Sequence, residues 1–172
     1  MKKKEEIVHY QSVLHKTEKL ILGAQEQFIK DATRTSIELY WEIGKLLSQV
    51  GEKYQWGQQI IAQLSRDLYH LFSNARGYSE QNLRRMRQFY YEYKESPELL
   101  ALTKKVRWST NIAIFHKVKS AEARKFYLQM AIDSMCGRDI IEMQIKSQAY
   151  ERECLHDKKH NFELTLPAQL SL

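Results

Sequence analysis

Gln81, Asn82, Arg84, Arg85, Arg87 and Gln88 crowd into eight consecutive positions of the chain. Guanidinium groups grip phosphate oxygens and fork onto guanine edges, and side-chain amides pair with adenine. The spacing matters as much as the residue types. Leu83, Met86, Tyr90 and Tyr93 recur at steps of three, four and three, which marks one buried helical face. Gln81, Arg84, Arg85 and Gln88 then fall together on the other, exposed face. Ahead of them, residues 60–72 read as a helix, and Ser73-Asn74-Ala75-Arg76-Gly77 as a turn whose residues tolerate unusual backbone angles. Ser79 follows as an N-cap. A helix, a tight turn and an arginine-studded second helix over 79–93 form a helix-turn-helix pattern, whose second helix enters a DNA major groove.

Other chemistry is sparse. Glu92-Tyr93-Lys94 and Asp157-Lys158-Lys159 match by letter the end of a metal-dependent nuclease motif. The first falls in a predicted helix and the second in a charged tail. Neither has the partnered strand and companion carboxylates that hold a divalent cation. Cys154, His156 and His160 have metal-like spacing, but a fourth ligand is missing and Lys158 and Lys159 would crowd the cation. Cys136 has no histidine near it and reads as a small buried residue. Glycine-rich phosphate loops, serine elbows and dinucleotide fingerprints are absent. The expectation is therefore no catalytic residue, metal or cofactor in this chain, and no enzyme activity of its own.

The elements that position the arginines are helical. Only Pro97 and Pro167 interrupt 172 residues, and strand-like alternation is missing until the last dozen. An all-α multi-helix bundle with a long N-terminal helical segment is expected. Ile7, Tyr10, Leu14, Thr17, Ile21, Ala24 and Phe28 step by three and four, the seam of a coiled coil or of a long bundle helix. Packing inside its own bundle and a homodimer through this helix both fit that seam. The apolar phase continues through Leu39, Ile43, Leu46 and Val50, so this helix should end near Gly51. Trp56-Gly57 leads into the next, with Ile60, Ile61, Leu64, Leu68 and Leu71. Ser96-Pro97-Glu98 opens a short helix. Further helices are expected from Ser109 to about Lys119, from Ser120 to about Met135, and from Arg138 to Glu153. This last pair has no arginine cluster and reads as structural, with Arg138 and Lys146 open to backbone contacts.

The net charge is +6, and its placement favours a polyanionic partner. Between Arg76 and Arg107, eight cations face four carboxylates. Arg76, Lys104, Lys105 and Arg107 would hold the DNA backbone while the helix from Ser79 reads it. The same charges also suit a solvated helix face, and a helical scaffold that recruits protein stays open as the alternative. Tyr90 and Tyr93 fit the core at helical spacing, which leaves Tyr91 for solvent or ligand. Trp41, Trp56 and Trp108 sit in apolar contexts and are assigned to packing. No apolar run reaches the roughly 18 residues of a membrane span, and the N-terminus lacks the apolar core of a secretory signal. Two cysteines form no disulfide framework, so a cytoplasmic setting is expected.

Several ordered blocks resemble the YhcG family. They are ELYWEIGKLL (38–47), WGQQIIAQLSRDL (56–68), GYSEQNLRRMRQFY (77–90), the stretch from Trp108 to Arg152 ending IKSQAYER, and NFELTLP (161–167). The resemblance covers roughly residues 10–167. It implies the helical N-terminal domain of a two-part bacterial protein, followed by a restriction-endonuclease-like domain of the PD-(D/E)xK class. On that reading, residues 1–160 are the helical domain and 161–172 begin the linker to a nuclease domain outside this chain. The chain departs from the family in having Cys136-Gly137 where Trp-Ser usually precedes the arginine matching Arg138.

Overall fold

The computed structural model describes residues 2–54, 58–72 and 76–153. Trp56, Ser73-Asn74-Ala75, the Cys154–His156–His160 group, Asp157-Lys158-Lys159 and residues 161–172 lie outside the described residues, as do the side chains of Ile7, Tyr10 and Arg76. The described residues are mostly helical, with no strand among them. Seven α-helices are α1 (Lys2–Tyr54), α2 (Gln58–Leu71), α3 (Glu80–Tyr93), α4 (Pro97–Thr103), α5 (Trp108–Lys117), α6 (Ala121–Asp133) and α7 (Arg138–Lys146). A 3-10 turn, Arg76–Tyr78, leads into α3.

Local chemistry sets most of these boundaries. The Ser79 and Ser120 hydroxyls accept from the backbone N–H groups of Asn82 and Ala123, capping α3 and α6. Pro97 occupies the first turn of α4, where its missing N–H costs nothing. The helix expected to run from Arg138 to Glu153 is instead broken. Gln148 takes a left-handed φ of 55°, so α7 stops at Lys146 and helical backbone resumes at Ala149.

α1 is one helix of 53 residues, about 80 Å long at 1.5 Å per residue. Its C-terminal third lies along α3, the closest partnership in the molecule, while α2 covers α3 from the side. α4 and α5 follow, and α6 and α7 pack behind them. One core cluster centres on Phe89, Tyr93, Ile114, Phe115, Tyr127, Leu128 and Ile141. A second joins Leu47, Ile61, Leu83 and Met86 where α1, α2 and α3 meet.

Two expected phases are corrected here. On α1 the core takes Ile37, Leu47 and Ser48, with Gly44 against the Met86 carbonyl, whereas Leu39 and Leu46 are exposed. On α3 the fully buried set is Leu83, Met86, Phe89 and Tyr93; Tyr90 is half-buried against Trp41. The reason is that α3 is enclosed on two sides. α1 covers the Met86–Tyr90 side and α5 the Phe89 side, so the buried arc is wider than a single amphipathic stripe. Phe89 touches Trp41, Tyr93, Trp108 and Phe115 with ring centroids 5.0–6.2 Å apart.

Candidate nucleic-acid interface

α3 turns Gln81, Arg84, Arg85, Arg87 and Gln88 away from its buried side. Gln81 and Gln88 are exposed and the three arginines half-exposed. Arg84 is already engaged: Glu80, one turn earlier, accepts from its Nη2 at 2.6 Å and its Nε at 3.1 Å. Arg85 and Arg87 form no ion pair among the described residues. Arg87 leans toward the end of α1, near Gly51. Arg85 points to the other flank, where its charge and that of Lys119 reach His116. Burial holds His116 below the usual histidine value, and these two cations push the same way against a weaker pull from Glu92. Arg85 and Lys119 thus share this flank with His116, and Glu92 opposes them.

Beside α2, the arginine face folds into a shallow groove lined by Ile61, Arg84, Arg87, Gln88 and Tyr91. Tyr91 is 36% exposed, and the Lys94 ammonium lies 5.3 Å from its ring centre. An aromatic ring, two guanidiniums, an amide and an apolar floor are the components that hold a sugar-phosphate backbone and its bases.

The remaining candidates separate by what they touch. Asn82 serves the fold: its Oδ1 accepts from Trp108 Nε1 at 2.8 Å, and its Nδ2 donates to the Gly77 carbonyl. Its amide binds the 3-10 turn and α5 to α3 and is not on offer to a base. Lys104 donates to Glu38 at 3.0 Å, fastening the end of α4 to α1. Lys105 and Arg107 are exposed on the connection into α5, next to Trp108. Arg76 belongs to the 3-10 turn before α3.

Glu92-Tyr93-Lys94 is a structural run. Glu92 pairs with Arg124 at 2.7 Å, and Tyr93 is fully buried, its phenol pushed up to about 12 by burial. Arg124 went unnoticed in the sequence. It is 6% exposed on α6; its Nε donates to the Val118 carbonyl at 2.9 Å and its Nη2 to the Phe115 carbonyl at 3.3 Å. Its cation thus caps the C-terminal end of α5, where helix carbonyls favour positive charge. Only the fold brings those carbonyls and Glu92 to one point. Cys136 is half-buried rather than buried. Arg138 pairs with Glu142 at 2.8 Å. Among the described residues, no cluster of His, Cys, Asp and Glu could hold a metal, and no helix is long and apolar enough to cross a membrane.

Comparison with known proteins agrees with the resemblance in the sequence blocks. The chain is 30% identical over 187 residues to an Escherichia coli (strain K12) protein named "Putative nuclease YhcG", covering 87% of this chain and 48% of that protein. It therefore spans about half the length of this relative. No solved structure matches it. The model of the family described as the DUF1016 N-terminal domain matches residues 16–152, which takes in α2–α7 and most of α1. The chain belongs to the DUF1016 N-terminal domain family.

Proposed function

We propose that this domain docks on duplex DNA through the exposed face of α3 and so brings DNA to a nuclease activity in the longer proteins of its family. The observation that carries this reading is a pair of arginines with no carboxylate partner among the described residues, on a helix that also presents amides and an aromatic ring. Lys104, Lys117, Arg124 and Arg138 each meet a carboxylate within 3.0 Å. Arg85 and Arg87, on the one helix that also offers Gln81, Gln88 and Tyr91, meet none among the described residues. Unpaired guanidiniums beside amides and a ring suit a polyanion with bases better than a merely solvated surface. In this reading α3 enters the groove after the manner of a helix-turn-helix, with α2 and the 3-10 turn as the preceding elements. Arg85 and Arg87 hold phosphates or guanine edges, Gln81 and Gln88 reach bases, and Lys105 and Arg107 steady the backbone.

The test is a salt titration of duplex binding by fluorescence anisotropy. Arg85→Ala with Arg87→Ala should weaken binding about tenfold or more and flatten the salt dependence by roughly two released ions. Both side chains lie outside the core, so helix content should not change. Unchanged affinity at low salt would defeat the assignment.

A second reading, self-association through α1, is supported by a separate observation. From Val13 to Ser36 every side chain but Thr33 is exposed, and these include Leu14, Ile21 and Phe28 of the heptad seam. The two readings are compatible, since proteins that read DNA with helices commonly act as pairs.

A further inference from the structure

The exposed apolar residues of α1 do not stop with the N-terminal seam. Leu14, Ile21, Phe28, Leu39 and Leu46 are 53%, 53%, 74%, 44% and 59% exposed. They follow one another at steps of seven, seven, eleven and seven residues, each close to a whole number of helical turns. All five therefore fall on one line that runs along most of the helix. Val13 and Leu20 flank it on one side near its start, and Leu22 and Ile29, also exposed, flank it on the other. The line lies away from Ile37, Gly44 and Ser48, where α3 packs, and in its C-terminal part it borders the core at Ile43, which is half-buried against the Leu47–Ile61 cluster.

Helix stability in proteins comes mostly from packing an apolar face, and a contiguous apolar stripe left on the surface marks an interface. The flanking charges indicate what kind. They are of both signs and pair within the helix: Lys30 with Glu26 at 2.6 Å and Arg34 with Asp31 at 3.6 Å. A membrane surface calls for a polar face dominated by Lys and Arg, which this is not. A straight apolar line is complementary to its own copy, as an isologous two-fold contact requires.

The area is adequate. At 25 cal/mol per Å² and 1.5–3 kcal/mol per side chain, each large apolar residue represents about 60–120 Å². Two facing lines then bury on the order of 1,000 Å², near the lower edge of specific interfaces, before their polar rims are added.

We infer that α1 pairs along this whole line, from Leu14 to Leu46, with α1 of a second copy of the chain. This rests on the self-association reading and extends it from the N-terminal seam to the stretch backed by the helical body. The test is sedimentation velocity at tens of micromolar protein. The unaltered chain should sediment as a dimer. Phe28→Glu and Leu46→Glu should each shift it to monomer, weakening the pair at least tenfold, with helix content unchanged because both side chains are exposed. A chain that is monomeric throughout overturns this inference and the self-association reading together. A dimer lost with Phe28→Glu but kept with Leu46→Glu overturns only the extended line. A dimer indifferent to both places the contact on another face and overturns the inference.

Discussion

Glu80 restrains Arg84, and the balance of its two effects can be estimated. As an acid in the first turn of α3 it gains about 0.3–1 kcal/mol from the helix dipole. Its half-exposed pair with Arg84 adds about 0.5 kcal/mol or less. Against this, its charge sits where a phosphate must come if Arg84 is to hold one. Glu80→Gln should therefore cost about 1 kcal/mol of stability and tighten duplex binding severalfold at low salt. Thermal melting and anisotropy on one preparation would show both effects, and weaker binding would remove Arg84 from the contact surface. Arg84 and Arg85 were legible in the sequence because their spacing sets them, with Gln81 and Gln88, on one exposed face, whereas Arg87 turns toward α1. The structural bonds of Asn82 were not legible, for a physical reason. Its residue type suits a base as well as an indole, and Trp108, the indole it binds, lies 26 positions away.

At the scale of elements, the crossing of α1 and α3 hinges on one glycine. A β-carbon at Gly44 would overlap the Met86 carbonyl, 2.7 Å from its carbon, and would press on Tyr90 Cβ at 3.2 Å. The obstacle is backbone, which cannot rotate aside. Gly44→Ala gains about 1 kcal/mol of helix propensity but must push two helices apart, a cost of about 1–3 kcal/mol or more. A net fall in melting temperature of several degrees is expected. Gly23→Ala is the contrast, since nothing lies within 4 Å of its would-be β-carbon. It should leave the melting temperature equal or higher, and similar losses from both substitutions would contradict the crossing. The caps at Ser79 and Ser120 and the proline opening of α4 were readable because each acts within one turn of its own position. The face of α1 that enters the core was not. Its apolar letters, Leu39 and Leu46, lie outside, while glycine and serine lie inside, and only the approach of a second backbone explains that inversion.

For the whole molecule, the two surfaces of α1 set a direction. α3 packs on one side of α1 with its arginine face outward, and the apolar line runs along the other. In a pair joined by that line, the two arginine faces point away from each other. With helix axes 8–10 Å apart at each contact, two α1 helices running parallel would hold the two α3 axes about 25–30 Å apart across the pair. A helix-turn-helix dimer that reads adjacent half-sites presents both recognition helices to the same side of the duplex, about 34 Å apart. This arrangement has a comparable distance but opposed directions, so one straight duplex cannot receive both faces. Such a pair should instead hold two duplexes at once. A tethered duplex should then capture a second, free, fluorescent duplex only when the protein is present. Leu46→Glu should abolish capture while leaving the affinity of each protomer for one duplex within about twofold, because a residue on the far side of α1 touches neither α3 nor DNA. Arg85→Ala with Arg87→Ala should abolish capture and single-duplex binding together. Capture that persists in the Leu46→Glu monomer would require two DNA surfaces on one chain, and the opposed-pair geometry would fail.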